Sequence, residues 1–185
     1  TKAIPECIHA ADAGRLIEPY LNIIKAYQSG GVPFEDAILL SNHDMNRIRS
    51  TLGGDIQKTK LAAAILLTLP GTPYIYYGEE IGMLGIKPDI HLREPFLWGE
   101  DPLKDTRWQK SKYSIRPDVE SLEIQMSDPN SIYHHYKKWI SLRNNHPELS
   151  SGTPLFQNLQ NNSILAWIIQ EKKKTLWVIH NLSDT

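Results

Sequence analysis

Two short apolar segments constrain the fold of this chain more than any other feature: AILLS at residues 37–41 and YIYY at residues 74–77. Between them, IQKTKLAAAILLTL at residues 56–69 predicts a helix that is apolar almost all round, capped by Asp55 and stopped by Pro70. The order strand, helix, strand favours βα units of a parallel sheet. Strands of such a sheet are buried on both faces and need neighbours on both sides, so these two strands do not make a complete sheet.

Two further helices are predicted outside this unit. Residues 12–29 place apolar side chains at helical spacing, and we expect Pro19 to kink this helix or to start a second one. Later in the chain, Ser127 or Asp128 is expected to cap a helix whose first residue is Pro129. Helices and strands therefore alternate along the first part of the chain.

The pattern changes in the last part of the sequence. SILAWIIQ at residues 163–170 and TLWVIHN at residues 175–181, on either side of an EKKK turn, predict a β-hairpin. Before it, residues 82–127 show little periodicity and predict a long loop, and loops of this length are usually functional or disordered. A second, antiparallel domain is expected to begin between residues 147 and 160.

Composition excludes several classes of partner. The 185 residues carry a formal net charge of −1 and are 41% hydrophobic, which gives no indication of a nucleic-acid or membrane-surface partner. No run of 18 apolar residues predicts a transmembrane helix. Cys7 is the only cysteine, so no internal disulfide is possible and the localisation stays open.

Polar side chains follow both predicted strands at their carboxyl ends. Residues 42–44, Asn-His-Asp, follow the first strand, and Glu79 and Glu80 follow the second. Reactive groups of parallel α/β folds gather at this edge, where a carboxylate can stabilise positive charge or act as acid, base or nucleophile. His43 can donate a hydrogen bond and Arg47 can supply a bidentate fork. The same letters also fit a plain turn in which the aspartate caps a backbone group.

Four blocks of the sequence resemble the alpha-amylase superfamily of glycoside hydrolases, in the order and at the spacing of that family. LLSNHDMNR at residues 39–47 resembles its fourth conserved region, at the end of barrel strand seven. GTPYIYYGEEIGM at residues 71–83 resembles its eighth strand, and KPDIHLREPFLW at residues 87–98 resembles the loop that follows. ILAWIIQEKKKTLWVIHNLSD at residues 164–184 resembles the opening strands of its β-sandwich domain.

The resemblance implies an α/β fold: the C-terminal part of a (β/α)8 TIM barrel followed by the beginning of an antiparallel β-sandwich domain. Residues 1–148 would belong to the barrel and residues 149–185 to the sandwich. A closed barrel needs eight strand–helix units and about 250 residues, so the chain is expected to be a piece of a larger protein. If the chain folds alone, the open edges of its two strands must be covered by another element, and a homo-oligomer or an exchanged element is expected.

The resemblance also implies a chemistry. Members of the family are mostly retaining enzymes that act on α-linked glucans or maltooligosaccharides, and they use an Asp nucleophile, a Glu acid/base and a further Asp after strand seven. Asp44 matches that last residue, which favours the oxocarbenium-like transition state, and His43 matches the histidine that binds the same sugar. Asp89 and Arg93 match substrate-binding residues of the following loop. Arg47 has a matching position, and we predict it to bind substrate, although its role is less defined.

Other residues are expected to be outside the chemistry. The nucleophile and acid/base are expected upstream of Thr1, because no segment here resembles the regions that carry them, so the chain alone is expected to be inactive. Glu79 and Glu80 match structural acids. No cofactor is predicted: many relatives hold calcium, but no cluster of oxygen ligands is visible, and the adjacent His134 and His135 diverge on a helix, so no metal site is assigned.

Two alternatives to hydrolysis remain open. One keeps the fold but transfers or isomerises small α-glucosides. The other is a non-catalytic binding or partner protein that retains His43 and Asp44 as a remnant. Trp98, in the same loop as Arg93, either lines the sugar site or anchors the loop.

Overall fold

The computed structural model of the chain describes residues 2–31, 35–99, 101, 108–171 and 174–183. The two lysines at positions 172 and 173 of the predicted hairpin turn lie outside these ranges. In chain order, the helices and strands are α1 (Ala3–Ala10), α2 (Gly14–Ser29), β1 (Ala37–Leu39), α3 (Ile48–Thr51), α4 (Ile56–Thr68), β2 (Thr72–Tyr74), α5 (Leu122–Gln125), α6 (Ile132–Asn145), α7 (Glu148–Ser151), β3 (Leu155–Phe156), β4 (Ile164–Glu171) and β5 (Lys174–Asn181). Short 3₁₀ turns lie at Glu79–Ile81 and Asp89–His91.

The two predicted strands pair in parallel, as the βα pattern indicates. Ala37 lies opposite Thr72 and Leu39 lies opposite Tyr74. The prediction that YIYY forms the second strand is wrong in its bounds: β2 ends at Tyr74, because its partner β1 ends opposite that residue. Gly71 directly precedes β2 and has φ +105°, and a Cβ there would lie 2.4 Å from the Asp36 carbonyl oxygen, so this close approach requires glycine.

The crossover helix α4 has the ends that its sequence predicts. A carboxylate oxygen of Asp55 accepts hydrogen bonds from the backbone N–H groups of Gln57 (2.7 Å) and Lys58 (3.0 Å). At the other end, the Arg143 guanidinium of α6 donates to the carbonyls of Leu67 (2.9 Å) and Leu69 (2.8 Å). A side chain of one helix thus satisfies the last carbonyls of another, which fixes α6 against α4.

The other helices differ from prediction in their bounds. Pro19 lies inside α2, which continues through it without a second start. The predicted caps of α6 are wrong: the helix begins at Ile132, and the Ser131 hydroxyl accepts the N–H of His134 at 3.3 Å. Asp128 instead closes the preceding turn by accepting the N–H of Asn130 at 2.8 Å.

The predicted C-terminal hairpin of β4 and β5 is confirmed, and a third strand, β3, pairs with β4. β3, β4 and β5 form an antiparallel sheet in that order, with Trp167 of β4 opposite Val178 of β5. One face of this sheet shares a continuous apolar core with α1, α2, β1 and α4. At the junction, Thr68 of α4 hydrogen-bonds the ring of His180 at 3.0 Å, and burial lowers the pKa of His180 to about 4.

None of the helices in the described ranges is both long and apolar enough to cross a membrane.

Trp167 provides a direct test of this core. It is 0% exposed and packs against Phe156 and His180, whereas Trp177 on the neighbouring strand is 53% exposed. We expect W167A to lower the free energy of unfolding by about 3–5 kcal/mol, because it leaves a large cavity, and W177A to cost much less. Urea denaturation of both variants measures the difference. Equal losses would show that the sheet does not pack as described.

Candidate active site

A tight turn presents His43 and Asp44 at the carboxyl edge of the parallel pair. The Asn42 side chain accepts the backbone N–H of Asp44 at 2.9 Å, which is an Asx turn of the kind that short polar residues favour. Nε2 of His43 lies 3.2 Å from Oδ2 of Asp44, and the two side chains are 63% and 58% exposed. The turn therefore holds an imidazole and a carboxylate together and open to solvent.

Arg93 joins this turn to the loop that follows β2. Its Nη2 lies 3.3 Å from Oδ1 of Asp44 and 3.2 Å from Oδ2 of Asp89. Its guanidinium also donates to the His43 carbonyl at 3.4 Å. The structure thus brings His43, Asp44, Asp89 and Arg93, predicted from separate blocks of sequence, into one network.

Two residues that the sequence did not single out support the network from its sides. Nζ of Lys87 lies 3.6 Å from Oδ1 of Asp89. The side-chain amide of Gln109 donates to the carbonyl of Ile90 at 2.7 Å, within the 3₁₀ turn that carries Asp89. Two carboxylates and two cations therefore share this exposed surface, an arrangement that offers both acceptors and donors to the hydroxyl groups of a sugar.

Arg47, which is predicted to bind substrate, is buried in the structure. It is 0% exposed, so its burial does not favour the predicted contact with substrate. Its Nη1 donates to the Tyr77 carbonyl at 2.6 Å, and its guanidinium carbon lies 4.7 Å from the ring centroids of Tyr76 and Tyr77. Burial lowers the pKa of Arg47, an effect that the two tyrosines and Glu79 oppose.

Glu79 lies behind the turn and not on the exposed surface. It is 1% exposed, and its carboxylate accepts the hydroxyl hydrogen of Ser41. Burial raises the pKa of Glu79 to about 8, although Ser41 and Arg47 act in the opposite direction. Burial likewise raises the pKa of Glu80. Both positions agree with the prediction that these acids are structural.

Glu94 organises the long loop and was not found from the sequence. It is 0% exposed and accepts backbone N–H groups of Lys112 (2.8 Å), Tyr113 (3.2 Å) and Ser114 (2.9 Å). The sequence next to Glu94 gave no indication of this role, because the three N–H groups belong to residues about twenty positions further along the chain. A buried carboxylate thus fixes the segment that runs beside the network.

Other candidates have different surroundings. The rings of His134 and His135 bond to separate carbonyls, those of Met126 (3.1 Å) and Lys60 (2.8 Å). Trp98 is 52% exposed, and its ring packs on Phe96 with centroids 4.5 Å apart. Within the described ranges, no group of three or more His, Cys, Asp or Glu side chains is placed to hold a metal ion, calcium included.

Comparison with known proteins gives the family. Residues 20–152 match the family described as alpha amylase, catalytic domain. Alpha-amylase 3 of Dictyoglomus thermophilum is 45% identical over 152 residues, which cover 81% of this chain and 30% of that protein. Alpha-amylase SusG of Bacteroides thetaiotaomicron is 36% identical over 188 residues, covering 97% of this chain and 26% of that protein. The chain therefore belongs to the alpha-amylase catalytic-domain family.

A solved structure confirms the predicted fold class. The crystal structure of alpha-amylase from H. orenii matches with a TM-score of 0.89 and 35% identity, and the match covers 98% of this chain and 37% of that one. The chain thus has the fold of part of an alpha-amylase, a piece of a TIM barrel followed by the beginning of an antiparallel sheet domain. It spans between 26% and 37% of the length of these relatives.

The raised pKa of Glu79 predicts the pH dependence of stability. The unfolded chain releases this proton near pH 4.5 and the folded chain near pH 8, so the free energy of unfolding should fall as pH rises through this window. E79Q has no proton to release and should flatten the curve between these values, whereas E18Q, at an exposed position of α2, should not. Urea titrations at several pH values measure this. A slope that E79Q leaves unchanged would contradict the assignment.

Proposed function

We propose that this chain supplies the sugar-binding and transition-state-stabilising part of a retaining glycoside hydrolase that acts on α-linked glucans. One observation carries the proposal: His43, Asp44, Asp89 and Arg93 converge in a single exposed network at the carboxyl edge of the parallel strands. Active sites of barrel enzymes lie at this edge. The relatives named alpha-amylase support the substrate class.

Asp44 stabilises the reaction through its charge. Cleavage of a glycosidic bond passes through an oxocarbenium-like state, and a carboxylate fixed beside the sugar ring stabilises that positive charge. His43 donates a hydrogen bond to a sugar hydroxyl, and Arg93 lies between the carboxylates of Asp44 and Asp89. Arg93 donors and Asp89 acceptors then bind the hydroxyl groups of the same or the next sugar unit.

Hydrolysis needs two more carboxyl groups. A retaining mechanism places a nucleophile and an acid/base roughly 5–5.5 Å apart across the anomeric carbon. We assign neither role to Glu79, which is buried behind the turn, or to Glu80, which is half-buried beside α6. We assign the nucleophile and the acid/base to a part of the enzyme outside this chain, and we propose that the 185 residues alone bind sugar without cleaving it.

Maltotriose binding tests the proposal. We expect the 185-residue chain to bind maltotriose with a Kd of about 1 mM, since only a few hydrogen bonds to an exposed surface are made. D44N keeps the shape but removes the charge and should weaken binding about tenfold or more. E18Q is the control for loss of a carboxylate elsewhere. Calorimetry gives the affinities, and chromatography of the mixture should show no shorter sugars.

Two results would contradict the proposal. Equal affinity of D44N and the unchanged chain would remove Asp44 from the sugar site. Release of glucose or maltose by the pure chain would show that it carries a complete catalytic set.

We further propose that residues 1–148 form the barrel portion and residues 149–185 the start of the sandwich.

We also propose that the chain alone forms a homo-oligomer. β1 and β2 each have one edge without a strand partner among the described residues, and such edges favour pairing with another chain. Light scattering during size-exclusion chromatography should give a mass of at least twice 21.1 kDa. A monomer at high concentration would contradict the oligomer.

A further inference from the structure

We propose that Arg47 and Glu79 are positioning residues for Asp44. Ser41, bonded to Glu79, and Arg47, bonded to Tyr77, clamp the two ends of the turn at residues 42–46 to the segment at residues 76–79. This segment thereby becomes a common anchor for the two halves of the sugar site. The inference rests on the proposed function of Asp44 and Arg93, and it adds a layer of residues that touch no substrate.

The clamp at the start of the turn is Ser41. This residue lies three positions before Asp44 and is 2% exposed. Its hydroxyl donates to the carboxylate of Glu79, which is itself 1% exposed. A buried hydrogen bond to a carboxyl group has no water to compete with it, so it holds the first end of the turn in place.

The clamp at the end of the turn is Arg47, three positions after Asp44. Its side chain donates to the Tyr77 carbonyl at 2.6 Å, and its backbone N–H donates to the Gly85 carbonyl at 3.0 Å. The guanidinium also lies against the rings of Tyr76 and Tyr77. This contact needs Gly78, because a Cβ there would lie 3.1 Å from Nη1 of Arg47 and 2.3 Å from the sulfur of Met83.

The same segment holds the loop that carries Arg93. The Tyr76 hydroxyl donates to the carbonyl of Leu92 at 3.3 Å, and the Tyr77 hydroxyl donates to the carbonyl of Glu94 at 2.8 Å. These two carbonyls belong to the residues on either side of Arg93. Both partners of the contact between Asp44 and Arg93 are therefore attached, through buried or partly buried hydrogen bonds, to the four consecutive residues 76–79.

The anchor explains how an exposed site keeps its geometry. His43, Asp44, Asp89 and Arg93 are each about half exposed, and ion pairs at such exposure contribute little to order. The hydrogen bonds to residues 76–79 are buried or partly buried, and they place the turn and the loop independently of the surface ion pairs. Loss of one link should loosen the turn without removing any group that contacts sugar.

NMR relaxation of the 185-residue chain tests the clamp, with R47M as the variant and R49M as the matched control. Arg49 is also a buried arginine that donates to backbone carbonyls, those of Gly54 (3.0 Å) and Gly82 (3.0 Å), but it does not bond the anchor. We expect both variants to lose stability. Only R47M should lower the order parameters of the His43 and Asp44 amides from about 0.85 to below about 0.6 and weaken maltotriose binding about tenfold.

A milder pair of variants covers the case in which R47M does not fold. S41A removes one hydroxyl, and S41T restores it. S41A should lower the same order parameters in part, and S41T should return them toward the values of the unchanged chain. If S41A and R47M leave the turn as ordered as R49M does, the clamp is overturned.

The readouts separate this inference from the proposed function. If the unchanged chain fails to bind maltotriose while R47M alone loosens the turn, the clamp stands and the assigned substrate is wrong. If maltotriose binds but R47M and R49M affect order and affinity equally, the substrate stands and the clamp is wrong.

Discussion

The parallel pairing of β1 with β2 is the constraint on which the rest of the structure depends. It brings the residues after Leu39 and the residues after Tyr74 to the same edge, side by side. The arrangement of the candidate site follows from that adjacency: the turn with His43 and Asp44 lies on one side, and the segment at residues 76–79 lies on the other. Helix α4 makes the pairing possible, because its apolar surface and capped ends span the crossover between the strands.

Much of the fold could be predicted from local patterns. The apolar helix after Asp55 and the hairpin of alternating side chains around Trp167 were both correct, since each depends on signals within a few residues. Bounds were less accurate where a distant partner decides them. β2 ends where β1 ends, and α6 begins at Ile132 because the hydroxyl of Ser131, and not an earlier one, accepts the N–H of His134.

The sequence singled out the exposed residues of the candidate site but did not indicate which residues lie buried behind them. His43, Asp44, Asp89 and Arg93 were predicted through resemblance, and the structure brings them together. Arg47 was predicted on the same basis as a ligand, but its burial under two tyrosines depends on tertiary packing that no spacing shows. Glu94 and Ser41 were missed for the same reason. Their partners are 18 or more residues away, so nothing in the adjacent sequence marks them.

We propose that the carboxyl edge of β1 and β2 binds α-linked glucose units. Mapping the amide chemical shifts of the 185-residue chain during a maltotriose titration tests it most directly. We expect the saturable shifts to concentrate on His43, Asp44, Asp89 and Arg93, with smaller shifts in the anchor at residues 76–79. Saturable shifts confined to another surface, such as the cavity between α2 and residues 150–154, would contradict it.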